Sequence, residues 1–470
     1  MLRLFDTARG EVVPLETREE GKVSMYVCGP TVYGPPHVGH GRQTVIYDVL
    51  RRYLTWRGYE VRHVSNVTDI DDHIINRAFD EGRDPTEIAR RCEEVWWYVM
   101  DLLDLERPND IPHATQYVEQ MVALVGEFVA RGLAYETSDG VYLDVSQVDG
   151  YGLLALQDLD SLRVGARVET NDEKRSPLDF VLWKRAKPGE PTWPAPFGDG
   201  RPGWHTECVV MSLDLLGEGF DLHTGGEDLR FPHHENERAQ AIAWGKRFAR
   251  HWMHHAFVEV KGEKMSKSVG NVTNLVDVVE KYDPRAFRLL ILRSHYRSPM
   301  DVTAETLADA EAAMNRLDAF ARRAAALPAA EPDAGALERF NRAMDDDLDS
   351  PAAMAVVFDL VRQANSLLDA GDVASAAPLG ATVRELTGAV GLVLRAESAA
   401  VPPDIQRLAT ERDAARSARD WARADALRGR IQEAGYVVED STSGTLVSPA
   451  RRRGPGAPAS PPRRRPAGTR

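Results

Sequence analysis

Cys28, Cys208, His233 and Glu237 are side-chain types that hold a soft-to-borderline metal ion, and each sits in a segment dense with other reactive residues. Cys28 lies ahead of His37-Val38-Gly39-His40. Cys208 follows Trp204-His205-Thr206-Glu207, and the other two come from Phe231-Pro232-His233-His234-Glu235-Asn236-Glu237. His233 and Glu237 are four apart in a helix-compatible segment, so they project from one face and can chelate one ion. Two thiolates, one imidazole and one carboxylate suit zinc, which accepts sulfur, nitrogen and oxygen together, better than copper or calcium. Taken singly, each residue has a plainer reading: small buried thiols and a solvated helix start. The combination favours one zinc ion per chain. Cys92, inside a charged helical pattern, reads as a packed thiol.

A second chemistry is written around these residues. His37 and His40 bracket a glycine at the mouth of a helix, where two imidazoles, backbone N–H groups and the helix dipole can all face a phosphate. Such an arrangement stabilises charge building on a phosphoryl group. Lys264-Met265-Ser266-Lys267-Ser268 puts two ammonium groups on a loop after a strand, between Gly262 and Gly270, the make-up of a mobile phosphate clamp. Either motif alone is weak evidence; the pair, in this order, is specific.

The elements needed to position them are legible. Lys22 to Cys28 is a strand candidate, followed by a Gly/Pro loop. A helical pattern over 41–57 carries Val45, Ile46, Val49, Leu50, Tyr53 and Leu54 on one face, with Gly58 to end it, and Glu60 to Val67 is a second strand candidate. Strand, helix, strand predicts an α/β fold with a parallel sheet and ligands at its C-terminal edge; Cys28 and Cys208 lie beside strand ends that such a sheet brings together. The expected organisation is a first catalytic half (1–135), a Pro/Gly-rich connective insertion (136–201) and a second half (202–300) with the metal-binding helix and lysine loop. A helical domain (301–400), a small C-terminal module (401–448) and a disordered Arg/Pro tail (449–470) complete it.

Composition agrees with several domains rather than one core: 470 residues, 43% hydrophobic and 28% charged. No apolar run is long enough to span a bilayer, and the first residues have neither signal nor transit character, so a cytoplasmic protein without membrane partners is expected. Three scattered cysteines argue for ligation or burial over disulfides. A net charge of −14 argues against a generic polyanion binder, yet leaves room for local basic clusters on a nucleic-acid partner.

At this point the sequence resembles the class I cysteinyl-tRNA synthetases, through MYVCGPTVYGPPHVGHGRQTVIYDVLRRYL, NVTDIDD, PGWHTEC, HTGGEDLRFPHHENE, GEKMSKSVGN and DDDLDSPAA. The resemblance runs to about Val447. It implies that the parallel sheet is of Rossmann type, that His37 to His40 is the HIGH motif, that Lys264 to Ser268 is the KMSKS motif, and that zinc binds the sulfur of substrate cysteine. The implied activity is ATP-dependent formation of cysteinyl-adenylate and transfer to the 3′ end of tRNA(Cys), with magnesium accompanying ATP, in a monomer. On that reading His37, His40, Lys264 and Lys267 are catalytic, with Gly39 and Ser266 also contacting ATP. The helical domain is then the tRNA-binding domain and the C-terminal module the anticodon-binding one.

Trp204, four residues before Cys208, is a candidate to pack against the amino acid, with core packing as the even alternative. Thr68 is a second candidate for that pocket, and Glu227 and Asp228 read as solvated turn carboxylates or loop anchors. Arg412, Arg416, Arg419, Trp421, Arg423 and Arg428 are candidates to meet RNA, against a plainer reading as helix-face ion pairs. Two rival functions share parts of the pattern: a ligase joining cysteine to an amino sugar, as in the mycothiol pathway, and a diverged, non-catalytic tRNA-binding paralogue. The chain departs from the family's usual pattern at Gly34-Pro35-Pro36, at His73, where Lys is common, and at Arg238, where a hydrophobic residue is common.

Overall fold

The computed structural model describes residues 1–155, 172–260, 263–264, 273–396, 402–441 and 444–449. Ser266 and Lys267, and the tail from 450, lie outside them. The chain divides into two compact units, Met1–Asn315 with Ala329–Val393, and Arg316–Pro328 with Leu394–Arg470.

The first unit is built on a parallel sheet in the order His251–His255, Leu222–Gly226, Lys22–Val27, Glu60–Ser65. Lys22–Val27 is buried from Val23 onward, the signature of a strand covered on both faces. The helix Val38–Trp56 crosses from that strand to Glu60–Ser65. It begins three residues earlier than the hydrophobic period predicts because His37 caps it: its Nδ1 accepts from the backbone N–H groups of Gly39 and His40 at 3.1 and 3.4 Å. Its buried face is the predicted one, with Val45, Ile46, Val49, Leu50, Tyr53 and Leu54 between 0 and 4% exposed.

Between the two halves of this sheet the chain forms an antiparallel sheet, Ala134–Glu136, Gly140–Leu143, Phe180–Arg185 and Gly200–Pro202. The sequence reads as irregular here because its strands are short and Pro and Gly separate them. Phe128, Trp183 and Phe220 share one buried cluster, so this sheet and the parallel one are packed around common apolar contacts. Helices Ala334–Asp345, Ser350–Asp369 and Val373–Ala389 complete the first unit.

In the second unit, helices Pro403–Ser417 and Trp421–Glu433 lead to a hairpin, Tyr436–Ser441 with Gly444–Pro449. Ile405, Leu408, Leu427 and Ile431 form its core. Among the described residues, no helix is long and apolar enough to cross a membrane.

Candidate active site

All four strand ends of the parallel sheet open on one edge, and the residues singled out by type gather there. Cys28 follows Val27 directly. Gly29 has no room for a side chain: a Cβ would lie 1.6 Å from the carbonyl oxygen of Asn66, so only glycine lets the loop pass the neighbouring strand end. Cys208 comes from the helix Trp204–Leu216, and a kinked segment, Arg230–His234, in which Phe231 is extended, delivers His233 to the helix Glu235–Trp244 that carries Glu237.

Cys28, Cys208, His233 and Glu237 converge, all fully buried. The two sulfurs are 3.8 Å apart, Cys28 Sγ is 3.6 Å from Glu237 Oε1, Cys208 Sγ is 3.6 Å from His233 Nε2, and His233 Nε2 is 2.9 Å from Glu237 Oε1. Zinc bonds of about 2.3 Å to sulfur and about 2.0–2.1 Å to nitrogen and oxygen, set at tetrahedral angles, place donors about 3.8 Å (S to S), 3.6 Å (S to N or O) and 3.3 Å (N to O) apart. The donor set therefore fits a tetrahedral zinc in its sulfur edges, with the imidazole–carboxylate edge tighter. A second group, Cys28, His223, His234 and Glu237, shares two members. Its His223 Nε2 to Glu237 Oε2 distance is 2.5 Å and its His234 Nε2 to Cys28 Sγ distance 3.2 Å, spacings of hydrogen bonds rather than of donors around one ion.

Burial and mutual contact set the charge states of the four donors. Burial pushes the Cys28 thiol well up. Cys208, beside Cys28 and His233, is drawn down to about 6 despite burial. Burial also opposes ionisation of Glu237, but His223 and His233 hold its carboxyl well below the usual range. Burial lowers His233, yet Glu237 and Cys208 together carry it up to about 10. Cys208 and Glu237 are thus held toward their charged forms, and a metal ion at the site would displace the protons of Cys28 and His233.

Behind the four stand imidazoles that sequence reading did not assign. His205 Nδ1 meets His233 Nδ1 at 2.8 Å, His234 Nδ1 meets His254 Nε2 at 2.8 Å, and His254 Nδ1 meets Thr7 Oγ1 at 2.7 Å. Burial lowers His205, His234 and His254 well below the ordinary histidine value, so they are neutral hydrogen-bonding rings that orient the donors.

A cleft of about 380 Å³ opens on this edge, lined by Cys28, Gly29, Tyr33, His37, Gly39, His40, Trp204 and Asp228 among others. His37 and His40 stack at 3.7 Å between centroids, and Trp96 meets the His40 ring edge-on at 5.5 Å. Trp204 is 38% exposed and stacks on His233 at 4.0 Å, so it is a wall of the cleft and not a core residue. Thr68 is buried and does not line the cleft; its hydroxyl donates to Glu207 Oε2 at 2.7 Å. Asp228 is exposed on the cleft wall. Cys92 is buried, with Arg77 Nη1 3.5 Å from its sulfur.

The backbone of Glu263–Lys264 pairs with Val258–Val260, which places the start of the lysine loop by strand pairing. Arg42 links this side to the histidine helix. Its buried guanidinium donates to the carbonyls of Phe257, His295, Tyr296 and Ser298 at 2.6, 3.3, 3.1 and 2.5 Å, and burial brings it down to about 10.

Comparison with known proteins bears on the same residues. Residues 14–312 match the family described as tRNA synthetases class I (C) catalytic domain, 339–395 the DALR domain, and 398–445 the cysteinyl-tRNA ligase anticodon binding domain. The chain is similar to the cysteine–tRNA ligase of Halorhodospira halophila, 45% identical over 456 residues, covering 95% of this chain and 99% of that one. It is 43% identical over 476 residues to the cysteine–tRNA ligase of Geobacter sulfurreducens, covering 94% and 98%. Among solved structures, Mycobacterium tuberculosis methionyl-tRNA synthetase with methionyl-adenylate shares the fold at TM-score 0.58 and 17% identity, covering 78% of this chain and 89% of that one. The Agrobacterium radiobacter K84 agnB2 LeuRS ternary complex does so at TM-score 0.59 and 13% identity, covering 80% and 84%.

Proposed function

Because the chain belongs to the cysteine–tRNA ligases, a class I synthetase family, we propose that it activates L-cysteine with ATP and transfers it to the 3′ end of tRNA(Cys). The observation that carries this is a buried donor set of two cysteines, a histidine and a glutamate that reaches, through Cys28, the same cleft that the stacked histidine pair lines.

In the first step the cysteine carboxylate attacks the α-phosphorus of ATP and pyrophosphate leaves. In the second, the terminal ribose hydroxyl attacks the adenylate carbonyl and AMP leaves. No nucleophilic side chain is required; the protein positions reactants and stabilises phosphoryl charge. His37 and His40 hold phosphates from the helix mouth, with Gly39 admitting close approach. Lys264, Ser266 and Lys267 supply further contacts to them, and magnesium accompanies the nucleotide.

Cys28, Cys208, His233 and Glu237 hold one zinc, which when bound supplies a soft acid that prefers a thiol to an alcohol and so separates cysteine from serine. Trp204 covers the bound amino acid, and Asp228 faces its ammonium group. Thr68 acts one layer back, through Glu207. The catalytic halves are 1–135 and 202–300 around the insertion 136–201, the helical domain 301–400 binds tRNA, and 401–448 reads the anticodon. The protein works as a cytoplasmic monomer.

An amino-sugar ligase has no use for a segment matching an anticodon-binding domain at 398–445. The test is ATP–pyrophosphate exchange driven by cysteine, then charging of tRNA(Cys). Exchange without charging would reject the proposal.

A further inference from the structure

The loop Gly34-Pro35-Pro36 and His73 flank one spot on the cleft rim. The loop joins Tyr33 to His37, and Tyr33 and His73 both line the cleft. Their rings stack, with centroids 4.9 Å apart and planes 26° apart. His73 is exposed and Tyr33 half-buried.

The pair is fixed from behind. Arg77 donates from Nη1 to the Tyr33 carbonyl at 2.7 Å and is itself held by Glu81 at 2.7 Å. His73 stands in the first turn of the helix Asp72–Glu81, its backbone N–H bonded to the capping Asp71 side chain at 2.8 Å. The Pro36 carbonyl accepts from the Leu275 N–H at 2.9 Å, so the connecting loop is tied down as well.

We propose that Tyr33 and His73 seat the terminal base of the tRNA acceptor end during transfer. This rests on the function proposed above. The second step requires a ribose hydroxyl to reach the adenylate carbonyl, and the base attached to that ribose is single-stranded. Unpaired bases are held by stacking on aromatic faces. Trp96 is buried against His40 and Trp204 stacks on His233 beside the metal donors, whereas the Tyr33–His73 stack lies at the rim with His73 exposed. Phe257 immediately precedes the strand leading to the lysine loop.

Full-length wild type, His73→Ala, His73→Phe, Tyr33→Leu and Tyr33→Phe are compared in two assays: cysteine-dependent pyrophosphate exchange, and single-turnover transfer from preformed cysteinyl-adenylate to tRNA. In His73→Ala and Tyr33→Leu, transfer slows at least about tenfold more than exchange, the scale of one lost base–aromatic stack. The ring-preserving variants His73→Phe and Tyr33→Phe restore transfer. Parallel loss of exchange and transfer assigns the pair to ATP and overturns the seat. So does an unaltered transfer rate in His73→Ala, or a His73→Phe variant as slow as His73→Ala. Wild type lacking exchange overturns the function itself, an outcome distinct from these.

Discussion

Cys208 contributes one of two sulfurs whose 3.8 Å separation equals a zinc tetrahedron's sulfur edge, so its loss should be felt in metal content before anything else. Purified protein should carry about one zinc per chain, and Cys208→Ser should lose both the ion and cysteine-dependent exchange, checked by elemental analysis and by the exchange assay. A metal-free preparation that still activates cysteine at full rate would contradict the assignment. For the phosphate clamp, His40→Ala or Lys267→Ala should lower the activation rate about a hundredfold or more while leaving KM for cysteine near wild type. A loss confined to KM would assign these groups to ground-state binding. The ligand types were readable because sulfur, imidazole and carboxylate each carry their chemistry in their identity. The ring of supporting histidines was not, because it depends on register: Trp252 is paired beside His223, and His254 beside Gly225, only once two parallel strands align. The partner of Thr68 was not legible for a similar reason, since its hydroxyl meets Glu207, far away in sequence.

At the scale of elements, periodicity found the crossover helix because its apolar face is continuous, but not its cap, which uses a histidine in place of the usual short polar residue. Leu50 is fully buried on that face, and Leu50→Ala should cost about 2–5 kcal/mol, read by chemical denaturation. The same helix is pinned to Ala334–Asp345 at its far end. Asp345 accepts from Tyr53 Oη at 2.8 Å and from Arg57 Nη1 at 2.7 Å. Burial works against its charge, but Arg57 and Tyr53 hold the carboxyl below its ordinary value of 3.8. A carboxyl depressed in the folded state stabilises above its ordinary value, and that contribution disappears as pH falls through the folded one. Asp345→Asn should therefore cost about 1 kcal/mol at pH 7, a modest figure because solvent partly screens the pair. The gap in Tm between variant and wild type should close below about pH 3.8. An equal gap at pH 7 and pH 3 would show that the carboxylate's charge is not what holds the helices.

For the whole molecule, activation and the choice of tRNA divide the labour. On the proposed function, activation draws on the strand-edge cleft and the lysine loop, whereas choice of one tRNA draws on further contacts, and the segment matching an anticodon-binding domain begins at residue 398. Helix spacing alone could not sort the arginines of that segment into core and surface. Arg412 is buried and donates to Thr445 Oγ1 at 2.7 Å, so it belongs to the module's own framework. Trp421, at the start of its helix, is 60% exposed, an aromatic face open to an unstacked base. Trp421→Ala should reduce charging of tRNA(Cys) by roughly fivefold or more, the lower end of what one stacking contact supplies, with cysteine-dependent exchange unmoved. Removing residues 402–470 should leave exchange largely intact and sharply reduce charging. Removing only 451–470 should alter charging modestly, and only at low salt, because arginines in a segment with almost no apolar residues offer little beyond screened attraction to phosphates. If the larger truncation charged tRNA as well as the intact chain, the anticodon role would fail and the small-molecule ligase would become the better account of the same metal-and-histidine cleft.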